Sequence, residues 1–157
     1  MMMWRHQNGF TYVIVMFAVA IASIMALRAT ESALTNERRA REDDLIEVGT
    51  AFRNAIRDYY EGTPGTFKEY PTTLKDMLDD VRTSTRHREL RRLYPDPITG
   101  QYSWGLVYAE DAKHIIGVYS LSTKSPLKVG GFSTMFANFA GAKTYRDWQF
   151  KYVPNQP

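Results

Sequence analysis

Phe10 to Leu27 (FTYVIVMFAVAIASIMAL) is an eighteen-residue run without a single charge, and it passes into a charged helical pattern with no proline or glycine between. At about 1.5 Å rise per residue, such a run forms a helix of roughly 27 Å, close to the hydrocarbon thickness of a bilayer. The segment 10–27 is therefore expected to be a transmembrane helix. A cleaved secretory signal is the competing reading. Its apolar region is usually about 7–15 residues long and ends in a break with small residues. Ala20-Ile21-Ala22 is small enough, yet four more apolar residues, Ile24 to Leu27, follow it and no proline or glycine interrupts.

Residues 1–9 precede the run as a short polar leader that carries Arg5 and His6 and ends in Gly9, followed by Phe10 and Thr11. This arrangement resembles the class III leader of type IV pilins and type II secretion pseudopilins. The resemblance implies cleavage by a prepilin peptidase between Gly9 and Phe10, with Phe10 becoming the N-methylated first residue. It departs at Ile14, where the family normally has a glutamate that pairs with the terminal ammonium of a neighbouring subunit. A carboxylate at mid-membrane costs about 2.5–3.5 kcal/mol on insertion scales, so one is kept only for such a task. Ile14 removes both the cost and the pairing. Two readings stand: a minor or initiating subunit at a filament tip, or a divergent system in which helix packing alone aligns the subunits.

Ala18, Ala22 and Ala26 recur every four residues and define a face where another helix can approach closely. Positive charge normally marks the cytoplasmic side, and here Arg28, Arg38, Arg39 and Arg41 follow the span, interleaved with Glu31, Glu37, Glu42, Asp43 and Asp44. The family resemblance nevertheless implies a cytoplasmic N-terminus in a bacterial inner membrane and a periplasmic C-terminal domain.

The helical pattern persists across 28–60 as an amphipathic continuation. Leu45, Val48, Phe52, Ile56 and Tyr59 are spaced by three and four, with charges on the other faces. One helix from Thr11 to about Tyr60 is expected, roughly 75 Å in length, ended by Gly62-Thr63-Pro64-Gly65.

Residues 61–157 are expected to form a small outer domain with one modest core. The chain has no cysteine, so no disulfide framework is available, and its net charge of +3 does not by itself call for a nucleic-acid partner. Short helical patterns are expected at Thr72 to Leu78, with Thr73 as cap, and at Thr85 to Leu93. Strands are expected at Tyr102 to Tyr108, Ile115 to Leu121 and Trp148 to Val153, the first two joined by a turn at Glu110 to Lys113. A long loop, Ser122 to Asp147, separates the second and third. The expected fold class is α+β: a long N-terminal helix packed on a three-stranded antiparallel sheet. That order resembles the type II secretion major pseudopilin, as do Asp96-Pro97-Ile98-Thr99-Gly100 before the first strand and Ile116 to Leu121 in the second.

The family's major pseudopilin binds calcium in the loop after its second strand. Here that stretch reads Ser122-Thr123-Lys124-Ser125, with no acid before Asp147. Calcium takes six to eight oxygen ligands, usually including carboxylates. No metal or other cofactor is therefore expected, and the loop must be held by packing of Phe132, Phe136, Phe139 and Tyr145.

Arg82, Arg86, Arg88, Arg91 and Arg92, with His87 and one opposing Glu89, are the densest charge feature. On a helix Arg88, Arg91 and Arg92 form a ridge. It could be solvated or internally paired, bind an acidic protein partner, or contact lipid headgroups or DNA, although DNA usually needs a broader basic surface. His6, His87 and His114 are far apart in sequence, and no metal-binding or phosphate-cradling spacing occurs. The expected role is accordingly non-enzymatic. It is that of a structural filament subunit whose partners are like subunits, the prepilin peptidase, an inner-membrane assembly platform and membrane lipid. The alternative is a non-polymerising membrane-anchored module that binds a partner through the arginines.

Overall fold

Apolar periodicity and the absence of proline produce one unbroken helix, α1 (Asn8–Glu61), as the dominant element of the computed structural model. The structure describes residues 8–80, 82 and 88–154, leaving aside the side chains of 8, 9, 29 and 30. Two compact units divide at Arg38/Arg39, so the second half of α1 is the core helix of the outer unit.

The expected apolar stripe on α1 is the buried one. Leu45, Phe52, Ile56 and Tyr59 are buried and Val48 is half-buried, joined by Ala55 and Gly49. Full burial of a Leu, Ile or Phe side chain stabilises by about 1.5–3 kcal/mol, so this stripe is the main adhesive of the unit. Gly49 lets the helix sit directly on the sheet. A Cβ there would lie 2.4 Å from the Phe150 ring, well inside contact distance.

The sheet is antiparallel with order β1 (Gly105–Tyr108), β2 (Ile115–Tyr119), β3 (Phe150–Lys151). Leu106 pairs with Val118, and Val118 pairs with Phe150, which puts Val118 and Phe150 at the centre of the core. The chain is thus α+β, with a long apolar N-terminal helix and a small three-stranded sheet.

All three strands are shorter than the aromatic and β-branched runs suggest. A turn around Asp96 precedes the first run, Asp96 N–H donating to Gln101 O at 2.8 Å and its carboxylate accepting from Ile98 N at 2.9 Å, and ladder pairing starts only at Gly105, after Trp104 has given its indole N–H to Tyr94 O at 2.9 Å. Ser120, at the end of the second run, also turns its hydroxyl to Asp96, at 2.7 Å. Trp148 caps a 3-10 turn, Tyr145–Asp147, its N–H donating to Tyr145 O at 3.3 Å, instead of joining β3. The β1–β2 connection runs from Ala109 to His114, closed by Ala109 N–H to His114 O at 2.8 Å, with Ala112 at φ 54°.

The helix expected at Thr72 to Leu78 is a single 3-10 turn, Leu74–Met77, and Thr73 does occupy its N-cap. The helix expected at Thr85 to Leu93 requires correction: residues 88–93 are not helical, while 85–87 lie outside the described residues. Leu90 is buried, and its N–H donates to Met77 O at 2.9 Å instead of to a carbonyl four residues back. Closely spaced arginines also disfavour a helix through like-charge repulsion. The long 122–147 segment carries two 3-10 helices, Thr134–Phe139 and Tyr145–Asp147.

Candidate functional site

In the first unit, every residue from Phe10 to Arg28 is exposed, on all sides of the helix. Phe10 and Ile14 are 72% and 51% exposed, and Ala18, Ala22 and Ala26 share this open surface at four-residue intervals. An apolar helix without a polar face suits a hydrocarbon or protein surround, because its backbone groups are satisfied internally. Ser23, polar within this run, donates its hydroxyl to Val19 O at 2.8 Å and so carries no unmet hydrogen bond into an apolar medium. By length and composition this is a helix that can cross a membrane, and it lies near the N-terminus. The residues expected to flank a processing site, Gly9 and Phe10, both lie on α1, while residues 1–7 lie outside the described residues.

In the outer unit, the acid Glu42 sits one turn before Leu45 on the buried stripe and is 1% exposed. Its carboxylate accepts from the backbone N–H groups of Leu127 and Lys128 and from the Tyr145 hydroxyl at 2.7 Å. One side chain of α1 thereby fixes both halves of the long segment between β2 and β3. Packing completes the hold, as expected for Phe132, Phe136, Phe139 and Tyr145. Phe139 stacks on Trp148 at 5.5 Å with planes 5° apart, Phe136 stacks on Phe139 at 4.9 Å, and Phe132 meets Trp148 edge-on.

Helix ends leave four carbonyls without intrahelical donors, and cations near a C-terminus also meet the macrodipole favourably. At the end of α1, Arg82 donates to Tyr59 O at 2.9 Å and to the Thr63 hydroxyl at 2.8 Å, while pairing with Asp80 at 2.5 Å. Its guanidinium lies 3.4 Å from the Tyr59 ring centroid. Hydrogen bonding to Asp80 raises the Arg82 pKa further above its ordinary value, and burial raises that of Tyr59. Lys68 covers the next carbonyls, donating to Glu61 O at 2.8 Å and Thr63 O at 2.9 Å.

The structure therefore separates the arginines that the sequence grouped. Arg82 is turned inward as a helix cap, Arg86 lies outside the described residues, and Arg88, Arg91 and Arg92 are exposed on non-helical chain. The helical ridge is corrected to a loop bearing three outward arginines, of which Arg92 also lies 5.2 Å from the Tyr94 ring.

No family model, curated protein or solved structure matches this chain. Among the described residues no three His, Cys, Asp or Glu side chains converge on a metal-sized position. His114 lies against the Asp111 carboxylate, which its ring and the N–H groups of Lys113 and His114 hold below the usual carboxylate range. Glu42 is the residue that sequence reasoning missed. Its three-residue spacing from Leu45 put it in phase with the buried face, which was the available signal.

Proposed function

We propose that this chain is a single-pass membrane subunit of a pilin-like filament, in a type II secretion or type IV pilus-like system. What supports the reading most directly is the contrast within α1: exposed and apolar around its whole circumference over 10–27, one-sided over 42–59. The first stretch needs lipid or other helices around it, and the second serves its own outer domain. The Gly9-Phe10-Thr11 signature adds the route. A prepilin peptidase removes residues 1–9, Phe10 is methylated, and the helix moves from the inner membrane into a filament through the Ala18, Ala22 and Ala26 face. Ile14, in place of a glutamate, points to a minor or initiating subunit. The outer domain faces the periplasm, and the role is mechanical, without catalysis or a cofactor.

The anchored-module alternative loses part of its basis, since Arg82 is engaged by α1 rather than presented to solvent. Mass analysis of the N-terminal peptide from native membranes tests the proposal. A chain beginning at N-methyl-Phe10 is the expected result. An intact leader would favour the anchored module, and a chain beginning after Ala22 would replace both with a secretory signal.

A further inference from the structure

Arg53 is a cation in the wrong place for a residue with no carboxylate. It lies on the buried side of α1, 7% exposed, where charged groups are almost always paired. Its Nε donates to Lys151 O at 3.1 Å, and its guanidinium is 5.6 Å from the Tyr152 ring. Neither contact supplies a negative charge, and no acidic side chain among the described residues forms an ion pair with it. Burial and the nearby Arg57 cation pull its pKa below the ordinary guanidinium value, the direction expected of an uncompensated charge.

Arg53 lines a groove of about 420 Å³ between α1, the Thr134–Phe139 helix and β3. It shares the lining of the groove with the polar residues Thr134, Asn138 and Gln149 and the apolar residues Met135 and Val153. Guanidinium presents a planar fork of N–H donors matched to a carboxylate, and with Nε engaged the terminal nitrogens remain for that purpose. Polar amides and a hydroxyl beside it can take the remaining lone pairs of such a guest. The apolar walls favour a carboxylate carried on a short hydrocarbon stem over a bare inorganic anion.

We propose that the Arg53 groove is a binding site for a carboxylate on a short aliphatic stem, brought by a free carboxylic acid or by an acidic side chain of another copy of this chain. This site lies in the outer unit and does not depend on the membrane or filament role.

The test is heteronuclear NMR of the arginine side chains, on the full chain in detergent micelles, titrated with glutarate. The expected result is a saturable shift of the Arg53 Nε–H signal that sodium chloride at matched ionic strength does not reproduce. Arg53→Gln should abolish saturable glutarate binding. Because that variant alters a buried position, Asn138→Leu at the exposed rim serves as a second probe: affinity should fall roughly tenfold, the loss expected for one charge-assisted hydrogen bond, with the unfolding midpoint unchanged. A dilution series without glutarate separates the sources. An Arg53 signal that moves with chain concentration assigns the carboxylate to a second copy, and an invariant one assigns it to a free acid. Absence of a saturable shift, an equal shift with chloride, or unchanged binding in both variants would overturn the proposal.

Discussion

The Tyr145 hydroxyl donates to the Glu42 carboxylate at 2.7 Å, across 103 residues of sequence. Two backbone N–H groups, from Leu127 and Lys128, converge on the same carboxylate. A buried acid tolerates this position because three donors replace the water it gave up. The consequence is mechanical: the helix that passes into the exposed apolar segment also grips the long segment between β2 and β3.

Removing that grip should be costly. Glu42→Ala strands two N–H groups and a hydroxyl and is expected to destabilise the outer unit by about 3–5 kcal/mol, and Tyr145→Phe by about 1–2 kcal/mol. Denaturant unfolding of the full chain in micelles measures both. The double variant should cost less than the sum of the two, because both changes remove the same bond. Full additivity would mean that the two residues act independently.

At the other end of the same helix stretch, Arg82→Met removes the donor to Tyr59 O and takes away the guanidinium paired with Asp80, which is 3% exposed. Destabilisation of about 3 kcal/mol is expected, in the range for breaking a buried pair. Arg82→Lys keeps a charge but not the fork and should recover only part of that loss. A full recovery by lysine would show that charge alone matters there.

Much of this could be read from residue order, and the exceptions share a cause. Leu45, Phe52, Ile56 and Tyr59 announced the buried face because helical periodicity is a local property of the chain. Glu42 stood in phase with them but read as one more acid among Asp43 and Asp44, since what buries it arrives from residues 127, 128 and 145. Arg82 read as one member of a cluster that could be solvated, internally paired or partner-binding, and its inward role was not singled out because its acceptor, Tyr59 O, lies at the end of another element. The helix expected at Thr85 to Leu93 rested on spacing alone, whereas Leu90 gives its N–H to Met77 and its side chain to the core. Strand lengths were overestimated because tertiary bonds that propensity scales do not encode take residues at the run ends: Ser120 turns to Asp96, the Trp104 indole to Tyr94 O, and Trp148 N–H to Tyr145 O. Arg53 carried no signal, because an unpaired buried cation looks like any exposed arginine on a helix.

Tyr70 gives the outer unit an alkaline limit. Burial, with Tyr60, Tyr152 and Glu61 close by, pushes its hydroxyl up to about 12. The ordinary tyrosine value is about 10, so the unfolded chain ionises first. The folded pKa being the higher, this contribution to stability is fully present below about pH 10 and is lost as pH rises through about 12. Unfolding midpoints measured across that window should fall, and Tyr70→Phe should flatten the fall. An identical alkaline profile in the variant would remove Tyr70 as its source.

Assembly is the property most sensitive to Ala22, if the alanine face of the apolar helix is where copies meet. Ala22→Leu adds three carbons at a position that is exposed in the single chain, so nothing within the unit has to move. Surface substitutions of this kind change folding stability by no more than about 0.5 kcal/mol. Between packed helices the same change holds the backbones apart and forfeits the close approach that drives association in lipid. Filament yield from cells should therefore collapse while membrane insertion and the unfolding midpoint of the outer unit stay as they were. Ala22→Ser, which keeps the small volume, should assemble. Intact filaments in the leucine variant would eliminate this face as the contact and leave Val15, Val19 and the residues in phase with them as the surface to test next.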